Sequence, residues 1–211
     1  MHDIVVIDYR SGNTRSVINA LAKAKSADQQ VVLTNDPTKI RNADRLVLPG
    51  VGAFAECWRK LQQSGALESM TAAVQAGRPF LGVCVGMQIL AVEGHEFEVS
   101  PGLGWIDGIT RRIEFSDDYA GPKKLPHVGW APIRFQECPL FKSSHPNDYF
   151  YFVHSYALHC NNRTDVIATA TYGADFTAAV LHKNIFATQF HPEKSAHAGL
   201  RLLEAFCQWK P

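Results

Sequence analysis

The segment Gly82-Val83-Cys84-Val85-Gly86 constrains the fold of this chain more than any other, because it places a cysteine between two glycines directly after an apolar run. The pattern predicts a buried strand that turns sharply into a helix, with Cys84 at the corner. A glycine two residues to either side removes the Cβ atoms that would clash in so tight a turn. This is the geometry of a nucleophile elbow, with cysteine in the place of the usual serine. The positive end of the helix dipole also favours negative charge on the sulfur.

A nucleophilic cysteine needs a base, and the segment Thr188 to Glu193 offers one. His191 lies just past the end of a predicted apolar strand, and Pro192 ends the hydrogen bonding of that strand to its neighbour. Glu193 lies two residues beyond the histidine. Imidazole can take a thiol proton and return a proton to a leaving group near neutral pH. A carboxylate behind it fixes the tautomer and stabilises the imidazolium. We therefore predict Cys84, His191 and Glu193 as the catalytic residues.

Plainer interpretations of the same residues stay open at this point. Buried free cysteines are commonly inert small hydrophobes. His191 can be a satisfied histidine at a strand end, and Glu193 a solvated carboxylate. The pair can also ligate a metal, although no third ligand stands at a suitable spacing and no metal site is expected.

The loop Leu48-Pro49-Gly50-Val51-Gly52 follows another buried run and is predicted to bind an oxyanion. Glycines leave backbone N–H groups free and let a substrate approach closely. Elbow enzymes combine the N–H of the residue after the nucleophile with one from a second strand-to-helix loop. Here these donors are Val85 and Gly52. The alternatives are an ordinary turn or a phosphate cradle, and the latter lacks the glycine and lysine spacing of a P-loop.

The first half of the chain alternates strand and helix, which implies a parallel sheet covered on both faces. The predicted elements there are strands at 3–9, 30–34, 45–48 and 80–83, and helices around Val17 to Leu21, at 54–63, at 68–76 and from 84 to about 92. The second half is rich in strands, which are predicted at 106–115, 128–135, 149–158, 166–171 and 178–190, with a turn at 182–184 and a final helix at about 197–208. We expect one α/β domain over 1–211, with an antiparallel extension of the parallel sheet.

Composition narrows the class of protein. The formal net charge is +1 and no block of like charge stands out, so neither nucleic acid nor a membrane surface is expected as a partner. The five cysteines are odd in number and no CxxC occurs, which favours reduced thiols in the cytoplasm over a disulfide framework. The apolar run Ile4 to Ile7 has the length of a strand, so no signal peptide is expected.

Together these motifs resemble a known family. Gly-x-Cys-x-Gly-x-Gln at 82–88, His-Pro-Glu at 191–193 and Pro-Gly-x-Gly at 49–52 resemble the class I glutamine amidotransferases. Four further segments, at 8–13, 126–130, 151–156 and 189–195, are similar to the glutaminase subunits of imidazole glycerol phosphate synthase, which serve histidine biosynthesis. These segments span nearly the whole chain.

The resemblance implies a three-layer α/β fold, a mostly parallel sheet flanked by helices, and hydrolysis of glutamine to glutamate and ammonia through a cysteinyl thioester, with no cofactor. Gln88 is then expected to bind the amino-acid end of the substrate, and the pocket is completed by His154, Ser155 and Tyr156. The ammonia acceptor is expected on a second protein, a cyclase with a (β/α)8 barrel, in a heterodimer. The interface residues expected on this chain are Asn13, Trp130 and Lys194.

Two positions depart from the family pattern: Arg10 stands where glycine is usual and Ala131 where asparagine is usual. Both neighbour the expected interface, so they bear on docking and leave the chemistry untouched. Three other functions compete. They are an amidotransferase for anthranilate or pyridoxal phosphate synthesis, a cysteine hydrolase acting on peptides, and a binding protein that has kept the fold without the activity.

Overall fold

A computed structural model describes residues 2–117, 119–121 and 123–211. Its α-helices are α1 Thr14–Ala24, α2 Pro37–Asn42, α3 Phe54–Gln63, α4 Leu67–Gln75, α5 Val85–Gln88 and α6 Ala196–Gln208. Its strands are β1 His2–Ile7, β2 Gln29–Thr34, β3 Arg45–Gly50, β4 Phe80–Cys84, β5 Glu93–Glu96, β6 Glu98–Pro101, β7 Gly108–Arg112, β8 His127–Pro132, β9 Arg134–Phe135, β10 Tyr149–His154, β11 Tyr156–Cys160, β12 Val166–Tyr172, β13 Ala174–His182 and β14 Ile185–Thr188.

An eight-stranded sheet in the order β2-β1-β3-β4-β14-β13-β12-β9 forms the centre of the fold. The five strands from β2 to β14 run parallel, and β13, β12 and β9 continue the sheet antiparallel. Strand β4 is buried along its whole length, as expected for a strand covered on both faces. The predicted class, a mostly parallel sheet with an antiparallel extension, is confirmed.

Helices pack in pairs around this sheet, α1 against α6 and α2 against α4. Helix α1 buries Val17 and Leu21, two of the positions whose spacing predicts it. Among the described residues, no helix is long and apolar enough to cross a membrane.

The elbow helix is shorter than predicted. It ends at Gln88, whereas the sequence pattern predicts helix to about Val92. The carbonyl groups of residues 89–92 accept hydrogen bonds from the backbone N–H groups of residues 102–106, which belong to a later segment of the chain. Tertiary pairing therefore replaces the helical ladder, and the chain proceeds into β5.

Three predicted strands of the second half also differ from the structure. The run 128–135 forms β8, which pairs with β10, and β9, which joins the central sheet beside β12. The run 149–158 forms two strands in different sheets, because β10 pairs with β8 while β11 pairs with β7. The break falls at Ser155, and the pocket described below opens beside it. The run 106–115 is paired only over Gly108–Arg112.

Three elements are missing from the sequence prediction. Helix α2 carries a recognisable signal, since Asp36 caps it through the N–H groups of Thr38 and Lys39 and Pro37 follows the cap. Strands β5 and β6 carry none, because their exposed and charged residues do not alternate with apolar ones over a useful length.

Candidate active site

Cys84 occupies a sharp corner between β4 and α5. Its backbone has φ 56° and ψ −111°, a conformation that L-residues rarely adopt and that costs about 1–3 kcal/mol. The surrounding glycines make the corner possible. A Cβ on Gly82 would lie 2.7 Å from the Gly86 carbonyl oxygen, and one on Gly86 would overlap the carbonyl oxygen of Leu48. The elbow predicted from the glycine spacing is the observed geometry.

Strand register brings the separate motifs to one edge of the sheet. Gly50 pairs with Cys84 across β3 and β4, and Thr188 pairs with Val83 across β14 and β4. The carboxyl ends of three parallel neighbours therefore deliver the glycine loop, the thiol and His191 to the same place. This is the end of an open α/β sheet where ligands bind.

His191 and Glu193 form a buried pair, with side chains only 1% and 2% exposed. The His191 Nδ1–H donates to Glu193 Oε1 over 2.8 Å. The histidine backbone is fixed as well, since its N–H donates to the Tyr151 carbonyl over 2.9 Å and its carbonyl accepts from Ser195 Oγ over 2.6 Å. Nε2 has no hydrogen-bond partner of standard geometry among the described residues, so it is the ring atom left for the thiol.

Charge in this pair decides the protonation of the imidazole. Burial alone lowers the pKa of His191, but its interactions with Cys84 and Glu193 outweigh burial and raise that pKa to about 9. The ring is therefore suited to hold the proton that the Cys84 thiol gives up, because it lies between that sulfur and a carboxylate. An imidazolium held by a carboxylate is suited to protonating a leaving group.

A cavity of about 250 Å³ opens over the cysteine. Several residues predicted for the site line it together, namely Gly52, Cys84, Val85, Gln88, His154, Ser155, Tyr156 and His191. Glu193 lies behind His191 and is not among the lining residues. The structure thus brings the catalytic, oxyanion and substrate-binding residues to a single pocket, while their individual roles stay predictions.

Glu96 lines the same cavity, and sequence reasoning missed it. It ends β5, and its Oε2 accepts the backbone N–H of Phe54 over 2.7 Å. Burial raises the pKa of this carboxyl above its usual range. Nothing in the sequence indicates the contact, because it depends on the tertiary pairing that ends the elbow helix early.

The predicted oxyanion loop is held through its carbonyl groups. Tyr9 Oη donates to the Pro49 carbonyl, and the Val51 carbonyl accepts from Ser11 Oγ over 3.2 Å and from Cys57 Sγ over 3.3 Å. Gly52 takes φ 104°, which favours glycine. Cys57 therefore contacts the loop from the side of the core.

Two histidines, His127 and His154, form a hydrogen-bonded pair at the pocket. His154 Nδ1 lies 2.9 Å from the Tyr156 carbonyl, which only accepts, so Nδ1 carries a proton and Nε2 is bare. His127 Nδ1, 3.2 Å from that Nε2, must then be the donor. Burial lowers the pKa of His154 to about 3 and that of His127 to about 4. Both rings are therefore neutral near pH 7.

Of the three residues expected at an interface, Trp130 is exposed, and Asn13 and Lys194 are half-buried. Trp130 is 50% exposed, and its ring meets that of Tyr151 edge-on at 5.9 Å. Lys194 Nζ lies 5.8 Å from the centre of the Tyr151 ring. Asn13 precedes α1 and makes no capping hydrogen bond through its side chain.

The two departures from the family pattern have local structural meanings. Arg10 adopts φ 58°, in the left-handed region where the usual glycine would be free of strain. Ala131 is buried in β8 opposite Phe150 of β10. No cluster of three or more His, Cys, Asp or Glu side chains suited to a metal ion occurs in the part of the chain that the structure describes.

Comparison with known proteins defines the class. The sequence profile of the Glutamine amidotransferase class-I family matches residues 5–208. The fold agrees. A crystal structure of a glutamine amidotransferase covers 97% of this chain and 97% of its own, with TM-score 0.71 at 17% identity. PurLQS from Thermotoga maritima gives TM-score 0.70 at 16% identity, covering 98% of this chain and 97% of its own. The chain belongs to the class I glutamine amidotransferase family.

More similar relatives narrow the family. Imidazole glycerol phosphate synthase subunit HisH of Caulobacter vibrioides is 44% identical and aligns with 100% of both chains. The HisH subunit of Rhodospirillum rubrum is 44% identical over 99% of both chains. Within its class, the chain therefore belongs to the family of HisH subunits.

Proposed function

We propose that this chain hydrolyses glutamine to glutamate and ammonia through a covalent thioester on Cys84. The thiol proton passes to His191, and the thiolate attacks the side-chain amide carbon of glutamine. The C–N bond breaks as His191 returns a proton to the departing ammonia. His191 then takes a proton from water, which attacks the thioester, and returns that proton to the departing sulfur, so that glutamate and the free thiol are released. The observation that carries this proposal is the buried His191–Glu193 pair on the cavity that holds Cys84.

Backbone N–H groups of Val85 and Gly52 stabilise the oxyanion in this mechanism. Val85 begins α5, so its N–H has no partner within the helix. Each such donor is worth about 3–4 kcal/mol of transition-state stabilisation. The loop is already held in place through hydrogen bonds to its carbonyl groups. Its N–H groups therefore need only a small movement to meet the oxyanion.

Gln88 serves the amino-acid end of the substrate. Its Nε2 lies 2.9 Å from the Tyr156 carbonyl and 3.0 Å from Gln189 Oε1, so both amide protons are in use. Only its carbonyl oxygen is left for a ligand. Gln88 therefore suits the α-ammonium group of glutamine better than its carboxylate. His154, Ser155 and Tyr156 complete the pocket through main-chain contacts.

The ammonia is consumed on a partner, the cyclase of imidazole glycerol phosphate synthase, with a (β/α)8 barrel. Free ammonia is mostly protonated at neutral pH and is then no nucleophile, so release into a docked partner favours its use. The cyclase converts a phosphoribosyl-formimino aminoimidazole carboxamide ribonucleotide into imidazole glycerol phosphate and an aminoimidazole carboxamide ribonucleotide. Trp130, Lys194 and Asn13 contribute to the docking face, and five free cysteines support a reducing, cytoplasmic location.

Glutamate release tests the proposal. The wild-type chain and Cys84→Ala are assayed with glutamine, each alone and with the purified cyclase and its nucleotide ligand. We expect low release from the wild-type chain alone, higher release in the complex, and none above background from Cys84→Ala. Cys160→Ala, a thiol outside the pocket, serves as the matched control and should keep the wild-type rate.

Two results would count against the proposal. Glutamate release that persists in Cys84→Ala would show that the reaction does not pass through a thioester on Cys84. Equal rates of glutamate release with and without the cyclase would show that glutamine hydrolysis is not coupled to this partner.

A further inference from the structure

Gln189 is fully buried and has no role in the mechanism above. It follows β14 directly, and the pairing of Thr188 with Val83 places the next residue of each strand side by side. Gln189 Nε2 lies 3.7 Å from Cys84 Sγ, within hydrogen-bond range for a sulfur acceptor. The backbone beneath it is fixed, because its N–H donates to the Ala178 carbonyl over 2.9 Å.

The orientation of the Gln189 amide follows from its neighbours. Gln88 faces the Tyr156 carbonyl, which only accepts, so the facing atom of Gln88 must be its amide nitrogen. The other proton of that nitrogen points to Gln189 over 3.0 Å, and its partner there must be Oε1. Gln189 Nε2, with its protons, is then the atom that meets the thiol.

Tyr156 extends this series of hydrogen bonds to the histidine pair. Its carbonyl also accepts from His154 Nδ1, and His154 in turn accepts from His127. The side chains of Gln88, His127 and His154 in this series are all buried. The donor is therefore positioned before substrate binds and is not readily exchanged for water.

We propose that Gln189 is a catalytic residue that donates a hydrogen bond to Cys84 Sγ and stabilises the thiolate formed when the thiol proton passes to His191. A neutral thiol is a weak acceptor, whereas hydrogen bonds to charged groups are stronger. The contact therefore gains strength as charge develops on sulfur. The inference rests on the proposed function for its catalytic meaning, but the contact with the thiol can be tested without turnover.

Alkylation of Cys84 by iodoacetamide measures thiolate reactivity directly. The full-length chain is treated over a range of pH, and modification is followed by mass spectrometry of the peptide that contains Cys84, so the other four cysteines do not contribute. Two variants remove the donor. Gln189→Met has similar length and no N–H group, and Gln189→Glu keeps an oxygen for Gln88 while replacing the N–H group with an acceptor.

Both variants should alkylate about tenfold more slowly at neutral pH, the effect expected for one hydrogen bond to a charged acceptor. The rise of the rate with pH should move to higher pH, and Gln189→Glu should be the slower because its charge opposes that of the thiolate. In the complex with the cyclase, kcat for glutamine hydrolysis should fall by a similar factor with little change in KM. Gln29→Leu is the control, because Gln29 is also buried but bonds to the Cys207 carbonyl.

Folding of each variant is checked by thermal unfolding. A folded Gln189→Met or Gln189→Glu variant with the wild-type alkylation profile would overturn this inference and leave the proposed function intact. Absence of glutamate release by the wild-type complex would overturn the proposed function, while a shifted alkylation profile would still support the contact between Gln189 and Cys84.

Discussion

At the scale of single residues, the site depends on charges that are buried and paired. Burial opposes protonation of His191, but a thiol and a carboxylate on either side of the ring reverse that preference. In this geometry the carboxylate fixes the tautomer of the histidine. The spacing in the sequence predicts this pair, because Pro192 fixes a bend that lets the Glu193 carboxylate turn back towards His191.

Glu193→Gln tests the electrostatic part of that arrangement. The pKa of His191 is about 9, so glutaminase activity of the complex should fall as pH rises through that value, where the ring loses the proton it gives to ammonia. Removing the carboxylate charge should move this alkaline limb to lower pH by about one unit. The pH profile of kcat/KM checks the shift, with the exposed and distant Glu68→Gln as control. An unmoved limb would show that Glu193 does not set the protonation of His191.

His127 affects stability through pH. Its pKa in the folded chain is about 4, below its ordinary 6.5, so the unfolded chain binds a proton first as the solution is acidified. The stabilising contribution of the neutral ring is therefore complete above pH 6.5 and decreases as pH falls towards 4. His154 lies beside it and acts in the same direction.

His127→Phe should lessen the decrease in the free energy of unfolding between pH 7 and pH 4.5 by about 2 kcal/mol. The ring is packed against Tyr172 at 4.1 Å, which phenylalanine can preserve. Urea unfolding at the two pH values measures the difference. His197→Phe, at an exposed position of α6, should keep the wild-type slope, and an equal slope in both variants would contradict the assignment.

At the scale of elements, the elbow is set by close backbone approach. Strand β3 passes so near α5 that side chains are excluded at Gly50 and Gly86, and β4 requires the same at Gly82. Glycine spacing made this corner predictable from the sequence. The length of α5 was not, because the loop at 102–106 takes the carbonyl groups that would extend the helix. Glu96 was missed for the same reason, and β10 and β11 were merged because alternation alone cannot show a change of sheet at Ser155.

Gly86→Ala should destabilise the fold by about 3 kcal/mol or more, because the added methyl group would overlap the Leu48 carbonyl oxygen and displace β3. Gly65→Ala is the matched control. It places a methyl group in open space at φ 77° and should cost only about 1 kcal/mol. Urea unfolding at one pH compares the two. Similar losses of unfolding free energy in both variants would show that backbone conformation, and not contact with β3, is the reason that the elbow requires a glycine at position 86.

At the scale of the whole molecule, the site joins distant parts of the chain. Residues 84 and 191 meet because β14 inserts beside β4, and each motif follows the carboxyl end of its strand. The sequence predicts that the motifs come together in one site. It does not predict the strand order that brings them together. That residues 1–211 form one domain stays a prediction, supported by a central sheet that takes strands from both halves.

Lys194→Ala and Trp130→Ala should weaken binding of the cyclase about tenfold or more, because each truncates a side chain of the proposed docking face that packs against Tyr151. Titration of labelled chain with the cyclase measures the affinity. Lys210→Ala removes an exposed lysine near the opposite end of the sheet and should bind as wild type does. Unchanged affinity in both test variants would move the docking face elsewhere.

The most direct measurement traps the acyl intermediate. The complex is mixed with glutamine, quenched in acid within the first turnovers, and digested for mass spectrometry. A glutamyl group should be found on the peptide that contains Cys84 and should disappear in Cys84→Ser. Glutamate release with no modification of that peptide, or with the glutamyl group on another residue, would contradict attack by the cysteine at the elbow.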